Sequence, residues 1–214
     1  MTTPIGFDGF AAMLVGAAEV IRSHHEELSR LDSCGGDGDH GSTMVRAMAQ
    51  VEKSVAGAAG KDLAGLLQDV GWAIMGVDGG ATGPLFGSLF MGMAGAAGSE
   101  AIGDSAALAV LFDAGLAGVR RRTKAQPGDK TMLDALVPAV EALGRAGALG
   151  LSLDEALEAA AAAALEGAKA TRAMQARFGR AKNLGEKSIG EPDPGATSVA
   201  YLFEGLAKGV KGHA

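Results

Sequence analysis

From Phe10 to Leu31 the apolar residues Phe10, Leu14, Ala17, Ile21, Leu28 and Leu31 recur at steps of three, four or their sum. That spacing fits one stripe of an α-helix and cannot sit on one face of a strand. The same period predicts further helices over about 43–57, 61–76, 84–97, 105–122, 130–146, 153–176 and 194–209, giving eight in all. Several starts carry their own signal. Ser152 with Glu155 three residues on is a capping box, Asp193 precedes a proline at the first helical position, and Pro84 can begin a helix in the same way. Nowhere does a run alternate with period two, and aromatic residues make up only 4% of the chain, so no strand is expected. The fold class is all-α: an eight-helix antiparallel up-down bundle or barrel formed by one domain over residues 1–214. A hydrophobic fraction of 48% is ample for its core. The 34 glycines fall partly in connections and partly inside helices, where they allow close helix approach.

Charge narrows the function classes. A net charge of −6 without a sustained Lys/Arg run argues against nucleic acid or an anionic membrane surface as partner. No apolar stretch reaches the roughly 20 residues of a membrane-spanning helix. The single cysteine, Cys34, cannot form an intrachain disulfide, and the start MTTPIGFDGF lacks the basic and apolar regions of a signal peptide. The expected location is cytoplasmic.

Four segments break the helical pattern: LDSCGGDGDHGST (31–43), VDGGATGPLFGS (77–88), AQPGDKT (125–131) and GRAKNLGEKSIGEPDPGAT (179–197). In an up-down arrangement of eight helices these are connections 1–2, 3–4, 5–6 and 7–8, which share one end. The first brings Asp32, Asp37 and Asp39 into a short window rich in glycine, so their oxygens can converge. Converging carboxylates repel without a cation, and hard oxygen donors lacking a thiolate partner suit Mg²⁺. An EF-hand is disfavoured, because the twelfth position from Asp37 is Met48 rather than Glu. A solvated acidic turn with an aspartate capping the next helix fits the same pattern. His40 adjoins the carboxylates and can reach a phosphate or base. His24 and His25 lie within the first helix and His213 in the tail, positions of low functional weight, and Cys34 has no evident activating partner. Gly79, Gly80, Ala81, Thr82 and Gly83 offer backbone N–H groups at a helix start, one way of holding phosphate. Neither a P-loop nor a Rossmann fingerprint is present. Arg177, Arg180, Lys182 and Lys187 make the last connection basic.

Taken together, GDGDHGSTM (36–44), GGATGPLFGSLF (79–90), PGDKTMLDAL (127–136) and GRAKNLGEKSIGEPDPGATS (179–198) resemble the motifs of the L subunit, or L domain, of dihydroxyacetone kinases. The resemblance spans nearly the whole chain. It implies an eight-helix antiparallel barrel holding ADP or ATP through two Mg²⁺ ions at one end, with a separate K subunit carrying the ketose. Asp32, Asp37 and Asp39 match the metal ligands, and His40, Gly41, Ser42 and Thr43 match residues around the nucleotide. Ala81 and Thr82 would meet phosphate, Thr82 keeping a hydroxyl where the family commonly has serine. Met132 matches a residue lining the base, and Thr123 falls where the family often has glycine. Arg180, expected with the aspartates to be catalytic, matches the lid over the nucleotide together with Asp193, Pro194 and Gly195. Between the first two aspartates Ser33, Cys34, Gly35 and Gly36 depart from the family's usual hydrophobic or acidic residues.

The expected function is therefore that of a phosphoryl-donor subunit. The donor is either exchanging ATP or retained ADP recharged by a phosphotransferase-system phosphocarrier, and a homodimer is implied. A four-carbon ketose such as erythrulose is an alternative acceptor, and a non-catalytic nucleotide-binding module is an alternative role.

Overall fold

The computed structural model describes residues 4–98 and 101–212, so His213 lies outside the described residues. Its α-helices are α1 (Phe7–Ser23), α2 (His25–Ser33), α3 (His40–Ala56), α4 (Leu63–Met75), α5 (Thr82–Ala94), α6 (Ser105–Arg120), α7 (Leu133–Leu149), α8 (Leu153–Ala170) and α9 (Pro194–Lys211). Short 3₁₀ segments occupy Thr171–Ala173 and, kinked at Gly185, Arg180–Ser188. Among the described residues the sole β feature is an isolated antiparallel bridge between Ile5 and Ile102.

Eight of the helices close a ring in which α1 packs on α3, α3 on α4, and so on through α9, which returns to α1. Sequential neighbours run up and down in turn, the arrangement expected of an antiparallel bundle. The expected first helix is two helices. At His24 the backbone leaves the helical region (φ −112°, ψ 15°), the ring nitrogen Nδ1 bonds the Val20 carbonyl at 2.9 Å, and the imidazole stacks on Tyr201 of α9 at 4.2 Å. The apolar stripe runs through this break because Leu28 and Leu31 of α2 are still buried, α2 lying outside the ring against α3 and α9.

Other boundaries shift for local reasons. Helix α5 starts at Thr82, so Pro84 sits inside its first turn, where a missing N–H breaks no helical bond. Helix α7 starts at Leu133 instead of 130, because Lys130 has a left-handed φ of 61°. Helix α8 carries the predicted capping box, and Asp193 caps α9 by accepting from Ala196 N at 2.7 Å.

The interior is filled. Phe10, Phe86, Phe112 and Phe203 are fully buried, and the Phe112 and Phe203 rings, on α6 and α9, meet across the ring at 5.2 Å. The α1/α9 seam is set by glycine: a Cβ on Gly205 would lie 2.5 Å from Gly16 O and 2.6 Å from Ala17 N. No described helix is long and apolar enough to cross a membrane.

Candidate functional site

Residues from all four irregular connections line one cavity of about 350 Å³. On one wall stand Asp32 near the end of α2, Asp37 in the following loop and Asp39 at the start of α3, with one oxygen of each within 4.8 Å of the others. The loop is tight enough for this because Gly36 passes over Asp32, where any side chain would collide with the carboxylate, and Gly38 adopts φ 76°. Asp39 occupies the N-cap position of α3, yet its carboxylate accepts no capping hydrogen bond. It faces the other two acids instead, which weighs against a simple capped turn.

The electrostatics show the strain of this convergence. Burial and the negative charges of Asp37 and Asp32 push the Asp39 pKa above the usual carboxylate value. Asp37 moves the other way, because the Arg180 guanidinium hydrogen-bonds it and forms an ion pair across the cavity mouth. A divalent cation would relieve the repulsion, and the all-oxygen donor set fits a hard ion.

Beside the acids, His40 is buried and bridges three elements. Its Nε2 meets Ser198 Oγ of α9 at 2.7 Å, its Nδ1 meets Thr82 Oγ1 of α5 at 3.2 Å, and its backbone N–H donates to Asp32 Oδ2 at 3.3 Å. Burial lowers its pKa, so the ring is held neutral. Thr82 opens α5, whose N-cap residue Ala81 supplies no side-chain cap, leaving backbone N–H groups beside the cavity. The loop before it is fixed by Arg46, which donates to the Asp78 carbonyl at 2.9 Å and to Thr43 Oγ1 at 2.8 Å.

The third and fourth connections form the remaining wall. Met132 is buried and abuts Gly195, while Thr123, Pro194 and Asp193 line the same cavity. Enclosure of the Asp193 carboxyl raises its pKa to about 7, with the Ala196 N–H opposing, the Asp134 charge adding and Lys130 opposing. With a folded-state value of about 7 against an ordinary 3.8, the stability linked to Asp193 is full below the unfolded value and is lost as pH rises through 7. D193N keeps a capping oxygen without titrating. Thermal melts should therefore show wild type nearest D193N at about pH 4 and falling progressively below it up to about pH 8, a gap of order 2–4 kcal/mol. A pH-independent difference would contradict the assignment.

Asp32, Asp37, Asp39, His40, Ala81, Thr82, Thr123, Met132, Arg180, Asp193, Pro194 and Gly195 are thus brought together. Gly41, Ser42 and Thr43 do not line the cavity. Gly41 is pressed against the His25 carbonyl, Ser42 Oγ returns to the Asp39 carbonyl at 2.8 Å, and Thr43 is fully buried against Gly79. Arg177 turns from the acidic loop to Asp129, at 3.6 Å, whereas Lys187 lines the cavity. Sequence reasoning missed Arg46, Ser198 and Lys130. Only a basic residue one turn after Thr43 hinted at the first; the other two act through partners far along the chain.

Fold and site define a class: an all-α helical ring whose connections at one end enclose a cavity with hard oxygen donors on one wall and backbone donors on another. Comparison with known proteins agrees. Residues 35–208 match the DAK2 domain, and the chain belongs to that family. It is 41% identical over 198 residues to the ADP-binding subunit DhaL of the PEP-dependent dihydroxyacetone kinase of Escherichia coli K12, covering 92% of this chain and 94% of that protein. It is 38% identical over 192 residues to the D-erythrulose kinase of Mycolicibacterium smegmatis, covering 89% of this chain but only 33% of that longer protein. The crystal structure of the dihydroxyacetone kinase from C. freundii in complex with AMP-PNP and Mg²⁺ superposes with a TM-score of 0.70 at 27% identity, covering 97% of this chain and 35% of that one.

Proposed function

We propose that this chain is the phosphoryl-donor subunit of a dihydroxyacetone-type kinase, holding ADP or ATP with two magnesium ions in the cavity at the end of the ring. The observation that carries the reading is the triad Asp32, Asp37 and Asp39, gathered within 4.8 Å opposite the uncapped start of α5. Magnesium, when bound, supplies positive charge against the phosphate oxygens. Asp32, Asp37 and Asp39 hold it. The first N–H groups of α5 and the hydroxyl of Thr82 receive phosphate oxygens, a role that suits the positive end of a helix. Met132 offers an apolar surface to the base, and Asp193, Pro194 and Gly195 close over it. Arg180, paired with Asp37 across the mouth, can turn its charge to the phosphoryl group being transferred.

His40 uses both ring nitrogens on Ser198 and Thr82 and is kept neutral, so it positions Thr82 and is not free to act as base. This supports a reading in which the acceptor hydroxyl and its base belong to a K subunit. The E. coli relative is a subunit of a PEP-dependent enzyme, which supports ADP that stays bound and is recharged in place by a phosphocarrier. Similarity to an erythrulose kinase keeps a four-carbon ketose as a second acceptor. Mixing this chain with a dihydroxyacetone-binding K subunit and a phosphoenolpyruvate-charged phosphocarrier should give phosphorylated ketose. Labelled ADP loaded beforehand should stay with the protein on gel filtration. No transfer with any combination of ATP, phosphocarrier, dihydroxyacetone and erythrulose would instead favour a non-catalytic nucleotide-binding module. Cross-linking or light scattering should report a homodimer.

A further inference from the structure

The connection between α8 and α9 carries Arg180, and it is tied at its neck. Arg172 and Gly190 exchange hydrogen bonds at 2.7 and 2.9 Å, and Asp193 N donates to Thr171 Oγ1 at 2.8 Å. Between these ties the segment 174–189 folds over the cavity. Gly35 in the first connection lies close against Ala181, and Arg180 reaches Asp37.

One side chain from another connection enters this neck. Lys130, only 6% exposed, donates from Nζ to the Ser188 carbonyl at 2.5 Å, the Glu191 carbonyl at 2.7 Å and the Met174 carbonyl at 3.3 Å. All three ammonium hydrogens are thereby committed to main-chain oxygens flanking the lid, 44 to 61 residues away in sequence. An ammonium that gives up water must recover its hydrogen bonds inside the protein, and three carbonyls do so. Lys130 also holds a left-handed backbone, φ 61°, a conformation that costs energy for any residue with a Cβ and that glycine would adopt freely. A strained, desolvated lysine in that turn is economical only if its side chain is needed.

We propose that Lys130 is a positioning residue: its ammonium latches the 174–191 lid and thereby sets how long a nucleotide stays in the cavity. This rests on the reading that the cavity holds a magnesium nucleotide. Lys130 contributes through the lid, so the latch acts on release more than on entry. With the latch intact, Arg180 stays over the acidic triad and the nucleotide is retained. Without it, the lid keeps its neck hydrogen bonds and the contacts of Arg177 with Asp129 but loses the three ammonium hydrogen bonds that draw its two ends together, and the mouth opens.

The test is stopped-flow release of a fluorescent ADP analogue, with Mg²⁺, from wild type, Lys130→Met and Lys130→Gly. The glycine variant removes the side chain while relieving the backbone, so the turn before α7 is not disfavoured. Release from both variants should accelerate by about tenfold or more, as expected for losing charge-assisted hydrogen bonds, while association changes by less than about threefold. Tryptic cleavage after Arg180, Lys182 or Lys187 should quicken in parallel, with helical content unchanged. Wild-type release rates in both variants would overturn the latch. So would loss of cooperative unfolding in Lys130→Gly, which would make Lys130 a strut of the fold. Failure of wild type itself to bind the analogue would instead remove the nucleotide reading beneath it.

Discussion

Asp37→Ala and Asp39→Ala should each abolish magnesium-dependent nucleotide binding and lower phosphoryl transfer by about 10³-fold, the scale of losing a preorganised electrostatic stabiliser at the reacting group. Three hard oxygens within 4.8 Å make a cation site only as a set. Removing one leaves too few donors for an ion that favours near-octahedral oxygen coordination. The two variants should differ in stability. Asp37 is exposed and its partner Arg180 can return to water, so Asp37→Ala should be near neutral. Asp39 is raised in pKa by burial and by its acidic neighbours, so Asp39→Ala should relieve repulsion and melt at or above the metal-free wild type. Calorimetry on metal-free protein, paired with transfer assays on the reconstituted complex, checks both halves. Full activity in Asp37→Ala would show that the triad is a solvated acidic turn.

Gly205→Val should be among the most damaging single changes to the fold. At the α1/α9 seam the new Cβ would sit 2.5 Å from Gly16 O and 2.6 Å from Ala17 N, both main-chain atoms that no rotamer change can move. The helices must separate, and separation at the seam that closes the ring withdraws contacts from Phe203 and Leu14 as well. A loss of about 3 kcal/mol or more is expected, at the upper end for overpacking. Gly103→Ala, where an added Cβ meets nothing within 4 Å, serves as control. Denaturant unfolding should place the two far apart; equal midpoints would mean the seam is not tightly packed.

Much of this was legible in the sequence because it depends on local rules. A 3.6-residue period needs no tertiary knowledge, and the capping box at Ser152 and the Asp193 cap are written in neighbouring residues. The gathering of four connections at one end followed from alternation of helix direction, and Asp32, Asp37 and Asp39 announced themselves by charge and glycine.

What escaped depends on distant partners. The break at His24 is fixed by Tyr201 on the other end of the chain, so the unbroken apolar stripe concealed it. Lys130 looked like one more loop charge, since its meaning lies in carbonyls that carry no sequence signature. Gly41 and Thr43 sit in the same motif as the aspartate triad but pack against His25 and Gly79 and do not line the cavity, which motif membership alone does not reveal. Asp193 read as a helix cap and a nucleotide contact, while its raised pKa comes from enclosure beside Asp134.

Isothermal titration of ADP into the purified chain, with Mg²⁺ and again with excess chelator, reads out a magnesium-dependent nucleotide site built on the aspartate triad. One nucleotide per chain bound with Mg²⁺, and at least about a hundredfold weaker binding without it, is the predicted result. Equal affinity in both conditions, or no binding in either, would contradict it.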